Sequence, residues 1–147
     1  MNYSKAIVEG IATQLYKATG YPVYINNQEQ NMMFPSFFVE MEHGEHTQKL
    51  GNRYYREANF YIHFFQSENG EVQDYSQVED VAERLTWALE FIGVNGDKLN
   101  GVDMSWKMVD DVMQFKVKYR YFLGKVETKE PMEKLIQEQG AKGNGRQ

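Results

Sequence analysis

The sequence has no cysteine among its 147 residues. That excludes disulfides, thiolate metal sites and thiol nucleophiles, and it suits a cytosolic protein. No stretch approaches the roughly 20 apolar residues needed to span a bilayer. The start, MNYSKAIVEG, lacks a basic segment followed by an apolar run, so no secretory leader is expected. Positive charge is also in deficit. The 16 Lys and Arg against 21 Asp and Glu leave a net charge of -5, which argues against a chain whose main task is to grip a phosphate backbone. It does not argue against a chain that lines a passage and must avoid sticking to nucleic acid. No P-loop, dinucleotide fingerprint or G-x-S-x-G elbow is present.

What is there is a chain that can bury a core. A hydrophobic fraction of 41% and an aromatic fraction of 14% fit one globular domain rather than disorder. The pattern is organised around Arg53–Phe65. Ala58, Phe60, Ile62 and Phe64 alternate with Tyr55, Glu57, Asn59, Tyr61 and His63, which gives one buried and one wetter face on a long strand. Before it, Ser4–Thr19 spaces Ile7, Val8, Ile11, Leu15 and Ala18 as a helix, with Gly20 placed for a left-handed cap. Gly10 inside that helix points to close packing or a weak helix. Tyr21–Ile25 reads as an edge strand because of Pro22. Ser36–Glu42 alternates as a strand, and His43–Leu50 reads as a polar connection to the central strand.

After the central strand, Ser76 with Glu79 has the spacing of a capping box. Val78, Val81, Leu85, Ala88, Leu89 and Ile92 then form an apolar stripe that Gly93 closes. Asn95-Gly96 and Asn100-Gly101 bracket a loop. Val102, Met104, Trp106 and Met108 follow at alternate positions, then the turn pair Asp110-Asp111, then Met113, Phe115, Val117, Tyr119 and Tyr121. These predict a hairpin with one apolar face on each strand, its basic outer face positioned to meet acidic neighbours. Pro131–Gln139 can form a short helix. The fold class is therefore α+β: a mixed, mostly antiparallel sheet carrying two amphipathic helices. Its order is α-β-β-β-α-β-β plus a short C-terminal helix, with a single domain over 1–126 and an appendage over 127–147.

The residues show little chemistry. His43 and His46 sit among Glu42 and Glu45, but in a predicted loop with no defined third ligand, so no metal site is assigned. His63 reads as an exposed or hydrogen-bonded sheet histidine. The carboxylate pairs fit cap, loop and turn roles, and no catalytic or cofactor-binding residue emerges. The surplus aromatics Phe38, Tyr54, Tyr55, Tyr61 and Phe65 are more informative. Either the C-terminal segment partly covers them or they form a subunit interface, where Tyr, Phe and Arg are favoured.

Three segments carry a resemblance: PSFFVEM (Pro35–Met41), LGNRYYRE (Leu50–Glu57) and FYIHFF (Phe60–Phe65). In this order and spacing the chain resembles the tail terminator family of long-tailed phages and prophages of Gram-positive bacteria. That family runs from an amphipathic helix to a P-x-F-F-[IV] strand, an N-R-Y-x-R approach and an F-x-I-x-[YF]-F strand, then a helix and a closing hairpin. Asn52, Arg53, Tyr54 and Arg56 fill the middle motif, and the likeness spans residues 4–123; the segment after Leu123 is not accounted for. The resemblance implies a structural virion protein, not an enzyme and without cofactor. Such a protein caps the tail tube as a six-fold ring, stops its growth and offers a surface to the head or its connector. Its partners would be further copies of itself, the tail tube protein and the head–tail connector, with DNA only passing through the lumen and no membrane. Its place would be the head-proximal end of the tail, and the host cytoplasm during assembly. Arg53, Tyr54, Arg56, Tyr61 and Phe65 become candidate interface residues; Glu40, Glu42 and Glu45 become candidate lumen or tube contacts. The alternatives are a head–tail connector or neck adaptor of the same particle, or an unrelated small cytosolic binding domain.

Overall fold

The computed structural model describes residues 2–25, 32–49, 51, 53–67 and 74–124, with the backbone alone at 43–45, 48 and 124. The elements are α1 (Tyr3–Thr19), β1 (Val23–Ile25), β2 (Ser36–Gln48), β3 (Arg53–Phe65), α2 (Tyr75–Ala88), β4 (Phe91–Val94), β5 (Asp97–Val109) and β6 (Val112–Gly124). The strands form one sheet in the order β1-β2-β3-β6-β5-β4. β1 lies parallel to β2, while β4–β5 and β5–β6 are antiparallel, so the fold is α+β with a mostly antiparallel sheet. Packing divides the chain into two compact units, Met1–Gly44 with Ala58–Arg120, and Glu45–Glu57 with Tyr121–Gln147.

In the first unit, α1 starts where the Asn2 side chain accepts the Lys5 N–H at 3.0 Å. It stops at Gly20, whose φ of 77° lets its N–H reach the Tyr16 carbonyl at 2.8 Å. Its stripe of Ile7, Ile11 and Leu15 is fully buried and meets Val78, Val81 and Leu85 of α2 in one core. Phe37 and Val39 of β2, Phe60, Ile62 and Phe64 of β3, and Phe115, Val117 and Tyr119 of β6 complete it. The alternation of β3 thus buries the even-numbered side chains, as its sequence predicts. Gly10 is there for close approach: a Cβ on it would sit 2.7 Å from the Gly93 carbonyl oxygen of β4.

Tyr119 is the largest fully buried side chain, and its hydroxyl donates to the Leu89 carbonyl at 2.7 Å. Burial pushes this phenol well above its ordinary value of 10.0. The native state therefore keeps a proton that the unfolded chain releases above pH 10, so the contribution is complete below that pH and is lost as pH rises. Stability should fall by about 1.4 kcal/mol per pH unit there, and Tyr119→Phe should flatten that slope. Denaturation series at several alkaline pH values would decide; equal slopes in both proteins would overturn the assignment.

The structure corrects the sequence reading at four places. First, the chain has an additional strand. The predicted second helix ends at Ala88 with Leu89 as its cap, and Ile92 belongs to β4 rather than to the helix stripe. Asn95 and Gly96, with φ of 53° and 85°, make the two-residue turn of a β4–β5 hairpin instead of bracketing a loop. Second, Asp74 and not Ser76 caps α2: its carboxylate accepts the Ser76 N–H at 2.9 Å. Third, β2 runs on to Gln48, so His43–Gln48 is strand. Backbone pairing with a long neighbour does not need apolar alternation, and the hairpin closes where the Lys49 N–H donates to the Arg53 carbonyl at 2.8 Å.

Fourth, β5 does not keep one apolar face. Val102 pairs with Lys118, but Ser105 pairs with Lys116, so β5 carries one extra residue there, at Asp103 with φ of 54°. Before this bulge Leu99 and Gly101 face the core; after it Trp106 and Met108 take that side, opposite Phe115 and Met113. Val102 turns to the other face. The predicted basic outer face of β6 does meet an acid, with Lys118 Nζ 3.5 Å from the Asp103 carboxylate. The expected helix over Pro131–Gln139 lies outside the described residues.

Candidate assembly interface

The second unit gathers the basic and aromatic residues of the middle motif. Its strand segments are the end of β2, the start of β3 and the end of β6. The Arg53 guanidinium lies 4.5 Å from the centroid of the Phe122 ring, and Lys49 Nζ lies 5.4 Å from that of Tyr55. Arg56 Nε–H donates to His46 Nδ1 at 2.9 Å, and the His46 ring stacks on Tyr54 at 5.0 Å. Tyr55 packs on Phe122 at 5.3 Å and donates its hydroxyl to Glu57 at 2.6 Å. Phe122 is 53% exposed.

This arrangement holds cations without neutralising them. A guanidinium stacked on a ring is oriented by the π face while its in-plane N–H groups still point outward. By strand parity these side chains form two clusters on opposite faces: Lys49, Arg53, Tyr55, Glu57 and Phe122 on one, and His46, Tyr54 and Arg56 on the other. Rigid aromatics with free Arg forks are what protein interfaces select. His46, Lys49 and Phe122 were not legible as part of these clusters, because cross-strand register brings them there. Phe122 in particular follows buried Tyr121 and points the other way.

In the first unit, the remaining candidate residues lie on the sheet face away from the helices. Glu40 Oε1 and His63 Nε2 are 2.7 Å apart, and the His63 ring neighbours those of Phe38 at 5.8 Å and Tyr61 at 6.5 Å. Tyr61 is raised above the ordinary phenol range, first by partial burial, then by the charge and hydrogen bond of Glu42, then by Glu40. Glu40 and Glu42 are thus engaged by His63 and Tyr61 rather than standing free. Phe65 shares the face of Tyr61 by strand parity. The side chains of His43 and Glu45 lie outside the described residues. So the structure groups Arg53, Tyr54 and Arg56 in one unit, and Tyr61 with Glu40 and Glu42 in the other.

Among the described residues no three His, Asp or Glu side chains gather as metal ligands, and no helix is long and apolar enough to cross a membrane. No curated protein matches the chain. Among solved structures, one chain aligns over 86% of this chain and 95% of its own length, at 13% identity and a TM-score of 0.41. A model of the family described as "Phage tail terminator protein" matches residues 6–131. With that match covering α1 from Ala6 onward, α2 and β1 to β6, the chain belongs to the phage tail terminator family and is a structural, non-enzymatic protein of the virion tail.

Proposed function

We propose that the chain assembles as a ring, six-fold by resemblance, on the growing end of the tail tube, ends its polymerisation and offers the joining surface for the head. The observation that carries this reading is the family match over residues 6–131. The basic aromatic clusters on the two faces of the second unit support it, with Arg53 on one face and Tyr54 and Arg56 on the other as contacts between copies. Tyr61 and Phe65 extend the candidate interface on the sheet face, with Glu40, Glu42 and Glu45 as candidate lumen or tube contacts. The partners are further copies, the tail tube protein and the connector, and DNA passes through a lumen that the acidic balance keeps from adhering. Residues 1–126 act as the terminator domain and 127–147 as an appendage to it.

Tail length in particles assembled without this chain tests the reading. Overlong, variable tubes without heads are expected by negative-stain electron microscopy. Tails of normal length that fail to join heads would replace it with a connector role, and normal particles would end both. In the same assay, Glu40→Gln, Glu42→Gln and Glu45→Gln together should reduce the yield of infectious particles. Unchanged yield would remove these carboxylates from the lumen and tube contacts.

A further inference from the structure

The β5–β6 hairpin carries apolar side chains that the described residues of its own unit leave partly exposed. After the bulge at Asp103, Trp106 and Met108 face the side that the helices occupy further along the sheet, yet they are 41% and 37% exposed, and Val109 is 39% exposed. Trp106 is not loose: its ring stacks flat on Phe115 at 5.7 Å with an interplanar angle of 5°. Beyond this strip, Asp110 and Asp111 make the turn, with φ of 50° and 65°, and neither has an ion-pair partner among the described residues. The hairpin end is therefore a rigid apolar strip tipped by two negative charges.

The same unit presents a shallow depression, open to solvent, elsewhere. Ala12, Thr13, Tyr16 and Lys17 of α1 and Val23 of β1 line it. Tyr16 is 61% exposed there, and Lys17 has no carboxylate partner among the described residues. Its chemistry complements the hairpin end, with apolar surface for Trp106 and Met108 and a cation for Asp110 and Asp111.

We infer that the hairpin end of one copy docks in the α1–β1 depression of a second copy of this chain. The two patches are different parts of one chain, so the contact is head-to-tail. Such contacts generate a closed ring when the rotation between copies closes, rather than a two-fold dimer. The inference rests on the ring reading and names a contact that joins its subunits.

The absence of cysteine helps the test, because introduced thiols are the only ones in this chain. The full-length variant Tyr16→Cys/Met108→Cys, both positions exposed, is bound to tail tubes and mildly oxidised. A covalent ladder of multimers ending at the ring number is expected, with each single variant giving none. Asp110→Lys/Asp111→Lys should lower ladder yield by roughly tenfold, and adding Lys17→Glu should restore much of it. Rings visible on tube ends without a ladder would overturn the contact while the ring reading stands. Dimers only would overturn it in favour of a two-fold contact, and a disulfide that forms within one chain at any dilution would overturn it by showing that the two positions meet in a single copy. Absence of any ring, together with tubes of normal length when the chain is deleted, would remove the ring reading itself.

Discussion

Gly101→Ala should lower the unfolding free energy by roughly 2–4 kcal/mol, a large share of the stability of a domain this size. A Cβ at this position would land on the Leu89 carbonyl oxygen, well inside contact distance, and 2.9 Å from Val117 Cγ2 and 3.1 Å from Tyr119 Cε1. None of these neighbours can give way easily. The Leu89 oxygen accepts the buried Tyr119 hydroxyl, and the Gly101 N–H itself donates to the Glu90 carbonyl at 2.7 Å. Relief of the clash therefore stretches one of two hydrogen bonds in the core, and a buried phenol left without its acceptor is itself costly. Urea denaturation would measure the effect as a lowered midpoint at constant slope. A midpoint equal to that of the parent chain would mean that β5 and the end of α2 are not packed as described.

The second large effect concerns assembly rather than folding. Arg53→Glu with Arg56→Glu should leave the thermal unfolding midpoint within a few degrees of the parent, since both side chains are on the surface of their unit. Termination should nevertheless fail, with the yield of head-joined particles reduced by about a hundredfold or more. Reversal puts one carboxylate against the Phe122 ring on one face and another beside His46 on the opposite face, where guanidinium groups now sit. The Lys counterpart, Arg53→Lys with Arg56→Lys, keeps the charge but loses the planar fork, and should fall between the two. Parent-like tail lengths and particle yields from the Glu variant would take these arginines out of the interface.

Much of this fold is written in local patterns, and the exceptions have physical causes. The alternation of Ala58, Phe60, Ile62 and Phe64 and the stripe of Ile7, Ile11 and Leu15 read correctly because one face of each element is dry. The Gly20 cap read correctly because a positive φ has few residues that satisfy it. Strand β4 was hidden because Leu89 and Ile92 happen to continue the helical spacing of α2, and only pairing with β5 decides between the two. The bulge at Asp103 leaves no trace in a sequence where Val102, Met104, Trp106 and Met108 keep perfect parity. That single inserted residue moves two large side chains from one face to the other. At the candidate interface, the local motif exposed Arg53, Tyr54 and Arg56, whereas the Phe122 ring came from a strand distant in sequence and His46 from a stretch of β2 that reads as a polar connection.

The sheet's margins have a consequence of their own. Its two outermost strands, β1 and β4, are three and four residues long. Each therefore covers only part of its neighbour: β1 pairs with β2 over Phe37–Val39, and β4 with β5 over Asp97–Asn100. Among the described residues the rest of both long strands has no strand beside it on that side, which is where a strand from another molecule could add. Side chains along those stretches, or the neighbours met on assembly, have to prevent open-ended stacking.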